Sequence, residues 1–157
     1  MKKTKILFVC LGNICRSPMA EGILHKILTE RGLTNAIIAD SAGTANYHIG
    51  DPPDHRTLQI LKKHGIDTSH KGRQITDKDF VEFDHILVMD HDNYYHVMAL
   101  ARSHTDRQKV TYAREYDADA PSKIVPDPYY GTIQDFEEVY NMLYISLNKF
   151  VDSIALS

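Results

Sequence analysis

The sequence predicts a single three-layer α/β domain, a four-stranded parallel sheet with helices on both faces. Three observations carry that prediction. Short apolar runs such as Lys5 to Cys10 mark strands buried on both faces, whereas a half-exposed antiparallel strand would alternate apolar and polar residues. These runs alternate with segments whose apolar residues recur at helical spacing, the order of strand, crossover helix and parallel strand. The 157 residues, 43% hydrophobic and 25% charged, suit one domain, and no Pro/Gly/Ser-rich tract, charge block or internal repeat divides them. The domain is expected to span 1–157.

The first strand, Lys5 to Cys10, leads through a loop to a helix. Ser17 is expected at the N-cap of that helix and Pro18 at its first helical position; Met19, Ile23, Leu24, Ile27 and Leu28 recur on one face, and Gly32 ends it. Ala36 to Asp40 reads as the second strand, Asp54 to His64 as a helix stopped by Gly65, and His85 to Asp90 as the third strand. Asp92 to Arg102 reads as helical and Val110 to Tyr112 as a weaker fourth strand. From Asp135 onward, Phe136, Val139, Tyr140, Leu143, Leu147, Phe150, Val151 and Ile154 mark a long amphipathic final helix. Sheets of this kind bind ligands at the carboxyl ends of their strands, and the first such end is Cys10.

A formal net charge of -3 gives no general electrostatic reason to bind nucleic acid or an anionic membrane, so neither is expected as a partner. Any anion site has to be built locally. The apolar run Ile6 to Leu11 is too short to cross a bilayer and is followed directly by Gly12 and Asn13, which suits a buried strand rather than a signal sequence. Two cysteines, Cys10 and Cys15, are too few and too close together for a secreted disulfide framework. A reducing cytoplasm is the expected location.

The segment Cys10-Leu11-Gly12-Asn13-Ile14-Cys15-Arg16-Ser17 falls between a strand end and a helix start, where unpaired N–H groups and the helix dipole favour an anion. Gly12 and Asn13 tolerate left-handed backbone, so successive N–H groups can turn inward as a nest around the oxygens of a phosphate, with no lysine needed. The expected fold thus carries a phosphate-binding loop after the first strand. In that field the sulfur of Cys10 is favoured as a thiolate, the nucleophilic form. Arg16 closes the ring, and its planar fork can hold two oxygens of a phosphoryl group. The hydroxyl of Ser17 can donate to the sulfur. A Walker loop fits poorly because no Gly-Lys-Ser/Thr follows, and the Gly-x-Gly-x-x-Gly of a dinucleotide fingerprint is absent.

A leaving group expelled from phosphorus by a thiolate calls for a proton donor, and Val125-Pro126-Asp127-Pro128-Tyr129-Tyr130 supplies a carboxyl between prolines; taken alone, the same Pro-Asp-Pro also reads as a turn. The run Cys10 to Pro18, so near the N-terminus, resembles the signature loop of low-molecular-weight protein tyrosine phosphatases. Asp40-Ser41-Ala42-Gly43-Thr44, Met89-Asp90 and Asp127-Pro128-Tyr129-Tyr130 follow in that family's order and approximate spacing, so the resemblance covers nearly the whole chain. It implies that Asp127 is the general acid and base, and that the reaction runs through a cysteinyl-phosphate without metal or other cofactor. It also implies tyrosine-phosphorylated proteins as substrates, and phosphate and similar oxyanions as ligands.

The resemblance further assigns Asn13, Ser41, His70 and Asp90 to a network supporting the loop, and Tyr47 and Tyr129, with Leu11, to the walls of the substrate pocket. Tyr129 and Tyr130 resemble phosphorylation sites of the family. Cys15 either traps an oxidised Cys10 as a reversible disulfide or fills the core. A metal site at Asp90-His91-Asp92 with His96 is discounted, because a helix there offers few ligands on one face. Arsenate reductase is a rival within the fold, but no cysteine follows Cys15 to relay oxidation. A protein arginine phosphatase would carry Thr where Ile14 stands, and a binding module without turnover would not need the full set Cys10, Arg16 and Asp127.

Overall fold

A computed structural model describes residues 2–155 and gives four parallel strands in the order β2-β1-β3-β4. The strands are β1 (Thr4–Cys10), β2 (Ile37–Gly43), β3 (His85–Val88) and β4 (Val110–Tyr112). Helices α1 (Arg16–Arg31), α2 (His55–Lys63), α3 (Asp79–Glu82), α4 (His91–Leu100), α5 (His104–Gln108) and α6 (Ile133–Ala155) connect and cover them, with a 3-10 turn at Ala113–Tyr116. Met1, Leu156 and Ser157, which the expected 1–157 span includes, lie outside the described residues.

The unbroken apolar run in β1 has a direct structural cause. Ile6, Phe8 and Cys10 face a core built with α1, α2 and α6, while Leu7 and Val9 face a second core with Phe80 of α3 and Val97 of α4. Both faces are covered, so neither set of alternating positions can be polar. β1 pairs with β2 on one side and β3 on the other, and the chain order reverses between them, which puts the carboxyl end of β1 at the switch point where such sheets bind ligands.

Several boundaries differ from the sequence reading. β2 runs on through Ser41, Ala42 and Gly43, because pairing with β1 continues to Cys10 opposite Gly43; tertiary pairing overrides the weak strand preference of those residues. β3 stops at Val88, since Asp90 turns away to cap α4 by accepting from the amide of Asn93 at 2.8 Å. α6 begins at Ile133, and α3 and α5, of four and five residues, are too short to show periodicity. Ser17 is not the cap of α1: the helix starts at Arg16 after Cys15, and the Ser17 side chain turns back to the loop instead. Pro18 therefore sits in the first turn rather than at its opening position, still where its missing N–H costs nothing.

α1 is also less one-sided than its sequence suggests, because every residue from Arg16 to Leu24 is buried. Among them is Glu21, whose carboxylate accepts from the Ser41 hydroxyl at 2.7 Å and lies 3.3 Å from Nδ1 of His70. Burial pushes the Glu21 carboxyl up to about 7, against the lowering effect of Ser41, and burial pulls His70 down. Both shifts disfavour charge on the two groups.

Two outcomes follow from this packing. Phe8, fully buried in the central strand, should cost about 3–5 kcal/mol when replaced by alanine, read as a lower urea midpoint. A carboxyl raised on folding keeps its full contribution below pH 4.5 and loses it as pH climbs toward about 7. Relative to Glu21→Gln, the wild type should therefore lose on the order of 3 kcal/mol across that window, at about 1.4 kcal/mol per pH unit. Parallel stability profiles for the two proteins would contradict it.

Candidate active site

The residues from Cys10 to Arg16 close a loop, four of whose carbonyls are taken by neighbouring segments. Thr44 donates to the Cys10 carbonyl at 2.9 Å, Ala45 to that of Leu11 at 3.0 Å, Asp54 to that of Ile14 at 2.8 Å, and the Thr57 hydroxyl to that of Cys15 at 3.3 Å. Among the described residues, no hydrogen bond to a protein oxygen takes the amides of Leu11 to Cys15. With those four carbonyls taken, this is the arrangement of an anion-binding nest followed by a helix N-terminus.

The torsion that closes the ring belongs to Asn13 (φ 57°), the only non-glycine residue with positive φ among those described. Gly12 does not adopt that conformation. What Gly12 gives is space, since a Cβ there would stand 3.2 Å from Cδ2 of His48. Gly43 does the same at the end of β2, where a Cβ would come within 2.8 Å of the Leu11 carbonyl.

The Asn13 side chain is held on every side. Its amide nitrogen donates to the hydroxyls of Ser17 at 2.8 Å and Ser41 at 3.0 Å; its oxygen accepts from His70 Nε2 at 2.7 Å and from the Arg73 backbone amide at 3.0 Å. Because Ser17 accepts from Asn13, its own hydrogen is free to point at Cys10 Sγ, 3.0 Å away. Asn13, Ser41 and His70 thus form one network.

Asp90 belongs elsewhere: it accepts from Nη1 of Arg16 at 2.7 Å, and the Val125 carbonyl takes the same nitrogen at 2.9 Å. These contacts fix a guanidinium that is only 3% exposed. Burial works against the Arg16 charge, but Cys10, Asp90 and Asp127 outweigh it and raise its proton affinity. Nη2 of Arg16 lies 3.7 Å from the carboxylate of Asp127, which is 41% exposed at the rim.

Cys10, Arg16 and Asp127 therefore meet at one cleft of about 310 Å³, whose walls are Leu11, Tyr47, Tyr129, Tyr130 and His48. Cys15 lines the same cleft, but burial, with Asp54 and Cys10 nearby, pushes its thiol up, so it stays protonated at neutral pH. Both cysteines are free. The sequence reading did not include His48, Glu21 or Arg73. Arg73, which also bridges Asp40 and Asp79, reaches Asn13 through its backbone, a contact that no side-chain pattern announces.

The discounted metal group separates in space. His91 Nδ1 meets the Tyr112 hydroxyl at 2.7 Å, His96 Nδ1 faces the Asp92 carbonyl at 2.7 Å, and Asp90 holds Arg16. Glu21, Asp40 and His70 do approach within 4.8 Å of one another, but their atoms are committed to Ser41, Arg73 and Asn13. Among the described residues no helix is long and apolar enough to cross a membrane.

Comparison with known proteins agrees with this geometry. The family model described as low molecular weight phosphotyrosine protein phosphatase matches residues 5–156. The human protein of that name is 43% identical over 150 residues, covering 94% of this chain and 93% of its own. A solved protein tyrosine phosphatase of Entamoeba histolytica, with Hepes in its active site, superposes with a TM-score of 0.93 at 36% identity, covering 98% of this chain and 97% of that one. A Drosophila arginine phosphatase superposes with a TM-score of 0.90 at 35% identity, over 96% and 97% of the two chains. The chain belongs to the low molecular weight phosphotyrosine protein phosphatase family.

Proposed function

We propose that the chain hydrolyses phosphotyrosine in proteins, and small aryl phosphates, through a phosphorylated Cys10. The observation that carries this reading is the meeting of a sulfur 3.0 Å from a free hydroxyl donor, a buried guanidinium and a rim carboxyl at one nest of amides. The phosphoryl oxygens lie against the amides of Leu11 to Cys15 and the fork of Arg16. The Cys10 thiolate attacks phosphorus as the bond to the tyrosine oxygen breaks, and Asp127 gives its proton to that oxygen. Asp127, now a carboxylate, takes a proton from water; the resulting hydroxide attacks phosphorus, the P–S bond breaks, and inorganic phosphate leaves with the thiolate restored.

The charge on the equatorial oxygens is met by fixed N–H dipoles and by Arg16, whose position Asp90 and Val125 hold in advance, so little reorganisation is needed in the transition state. Tyr47 and Tyr129 flank the substrate ring and Leu11 adds an apolar wall. Retention of a thiolate nucleophile suits a reducing compartment, and we place the protein in the cytoplasm on that ground.

The Drosophila arginine phosphatase gives a second reading a concrete basis, since its backbone is nearly superposable. Ile14, an apolar residue on the cleft, and the exposed phenols of Tyr129 and Tyr130 favour an aromatic substrate instead. Turnover of phosphotyrosine, phosphoarginine and arsenate by the wild type and two variants separates these readings. Phosphotyrosine should be the preferred substrate, Cys10→Ser should abolish its turnover, and Asp127→Ala should lower kcat by about 10²–10⁴-fold. Activity retained in Cys10→Ser, or a preference for phosphoarginine or arsenate, would overturn the assignment.

A further inference from the structure

Asp127 sits on a segment with no regular secondary structure. Upstream that segment is tied at Val125, whose amide donates to the Met89 carbonyl at 2.8 Å; downstream it enters α6 at Ile133. Between those points the internal bonds are local turns: Tyr129 donates to Asp127 Oδ1 at 3.1 Å and Gly131 to the Pro128 carbonyl at 2.9 Å. Local turns shape a segment but do not fix it to the rest of the protein. Thr132, at the far end, is tied to the start of α6 by donating to Asp135 Oδ2 at 2.7 Å; apart from that and the 3.7 Å approach of Arg16 to Asp127, the hydrogen bonds that hold the segment from outside among the described residues come from Arg56.

Arg56 reaches across from the first turn of α2. Nη2 donates to the Tyr129 carbonyl at 2.9 Å and Nη1 to the Gly131 carbonyl at 3.2 Å. The guanidinium carbon lies 4.4 Å from the centre of the Phe136 ring and 5.7 Å from that of Tyr129, so cation–π contact adds to the edge-on hydrogen bonds.

The other end of this connection is anchored to the catalytic loop. Asp54 grips Arg56 with both carboxylate oxygens, Nε to Oδ1 at 3.0 Å and Nη2 to Oδ2 at 3.1 Å, and its own amide donates to the Ile14 carbonyl at 2.8 Å. Burial works against the Asp54 charge and Arg56 outweighs it, holding the carboxyl below its usual range. A continuous path of hydrogen bonds therefore runs from Ile14 through Asp54, Arg56 and Tyr129 to Asp127.

We infer that Arg56, seated by Asp54, is a positioning residue that sets the distance between the Asp127 carboxyl and the Cys10 loop. This rests on the reading of Asp127 as proton donor given above. A bidentate, stacked guanidinium fixes a plane as well as a point, so lysine cannot replace it. Displacing a proton donor by about 1 Å can cost on the order of 10²-fold in rate, but only for a leaving group that needs the proton.

The test compares kcat/KM for phosphotyrosine, whose phenol leaves poorly as an anion, with that for 2,4-dinitrophenyl phosphate, whose phenol leaves without help. Arg56→Ala should lower the first by about 10–100-fold and the second by no more than about twofold. Arg56→Lys, which keeps the charge and most of the stem, should show the same selective loss, and is the variant read if the alanine protein does not fold. In an Asp127→Ala background, Arg56→Ala should cost phosphotyrosine almost nothing more. Equal losses for both substrates, or the same fractional loss with and without Asp127, would overturn the positioning role while leaving the acid assignment intact. An Asp127→Ala variant that lowers both substrates equally would instead remove the acid assignment, and the positioning role with it.

Discussion

At Asn13 the backbone enters the left-handed region, and four hydrogen bonds on one short side chain keep it there. That conformation costs roughly 1–2 kcal/mol for an L residue, somewhat less for asparagine, and each buried bond returns about 0.5–1.5 kcal/mol. The balance favours a closed ring even when empty. The partners arrive from three separate segments: Ser17 on α1, Ser41 on β2, and His70 and Arg73 on the stretch between α2 and α3. The fold brings these segments together, and the loop in turn orients everything the proposed reaction uses. Ser17 is free to donate to sulfur because Asn13 has already filled its acceptor side.

Around that ring the buried charges have partners. Arg16 is buried and would be costly alone, but Asp90 and the Val125 carbonyl hold it where a phosphoryl group would arrive. Burial of Glu21 and His70 beside the Asn13 network disfavours charge on either, which limits competition with an anion at the loop. Cys15 stays a thiol, since burial and the neighbouring Asp54 and Cys10 disfavour its charge.

Much of this was legible in the sequence where a residue's chemistry and its local context coincide. The two-sided burial of β1 shows in the run Lys5 to Cys10, and the strand-loop-helix passage to Arg16 shows in Gly12, Asn13 and Pro18. Asp127 was legible as a carboxyl between prolines, but the choice between acid and turn came from family resemblance, since local sequence does not say what lies across the cleft. The contacts that escaped were long-range: Glu21 looks like a polar position on a helix until the first half of α1 proves buried all round, and Arg73 acts through its backbone. Arg56 has no local signal at all. Ser17 reads from sequence as both helix cap and donor to the Cys10 sulfur, because the two roles call for the same residue type at nearly the same place; the geometry keeps the second and discards the first.

The account as a whole requires the ring to exist before any ligand binds, held by the Asn13 side chain. Calorimetric titration of inorganic phosphate into the wild type and Asn13→Gly addresses that directly, because glycine accepts the left-handed torsion without strain and removes only the four bonds. Binding to a protein of unchanged circular dichroism should weaken by at least about tenfold, with a larger entropic penalty from ordering the loop on contact. Equal affinity and equal entropy in the two proteins would mean that the backbone alone shapes the ring, and the account would be wrong at its root.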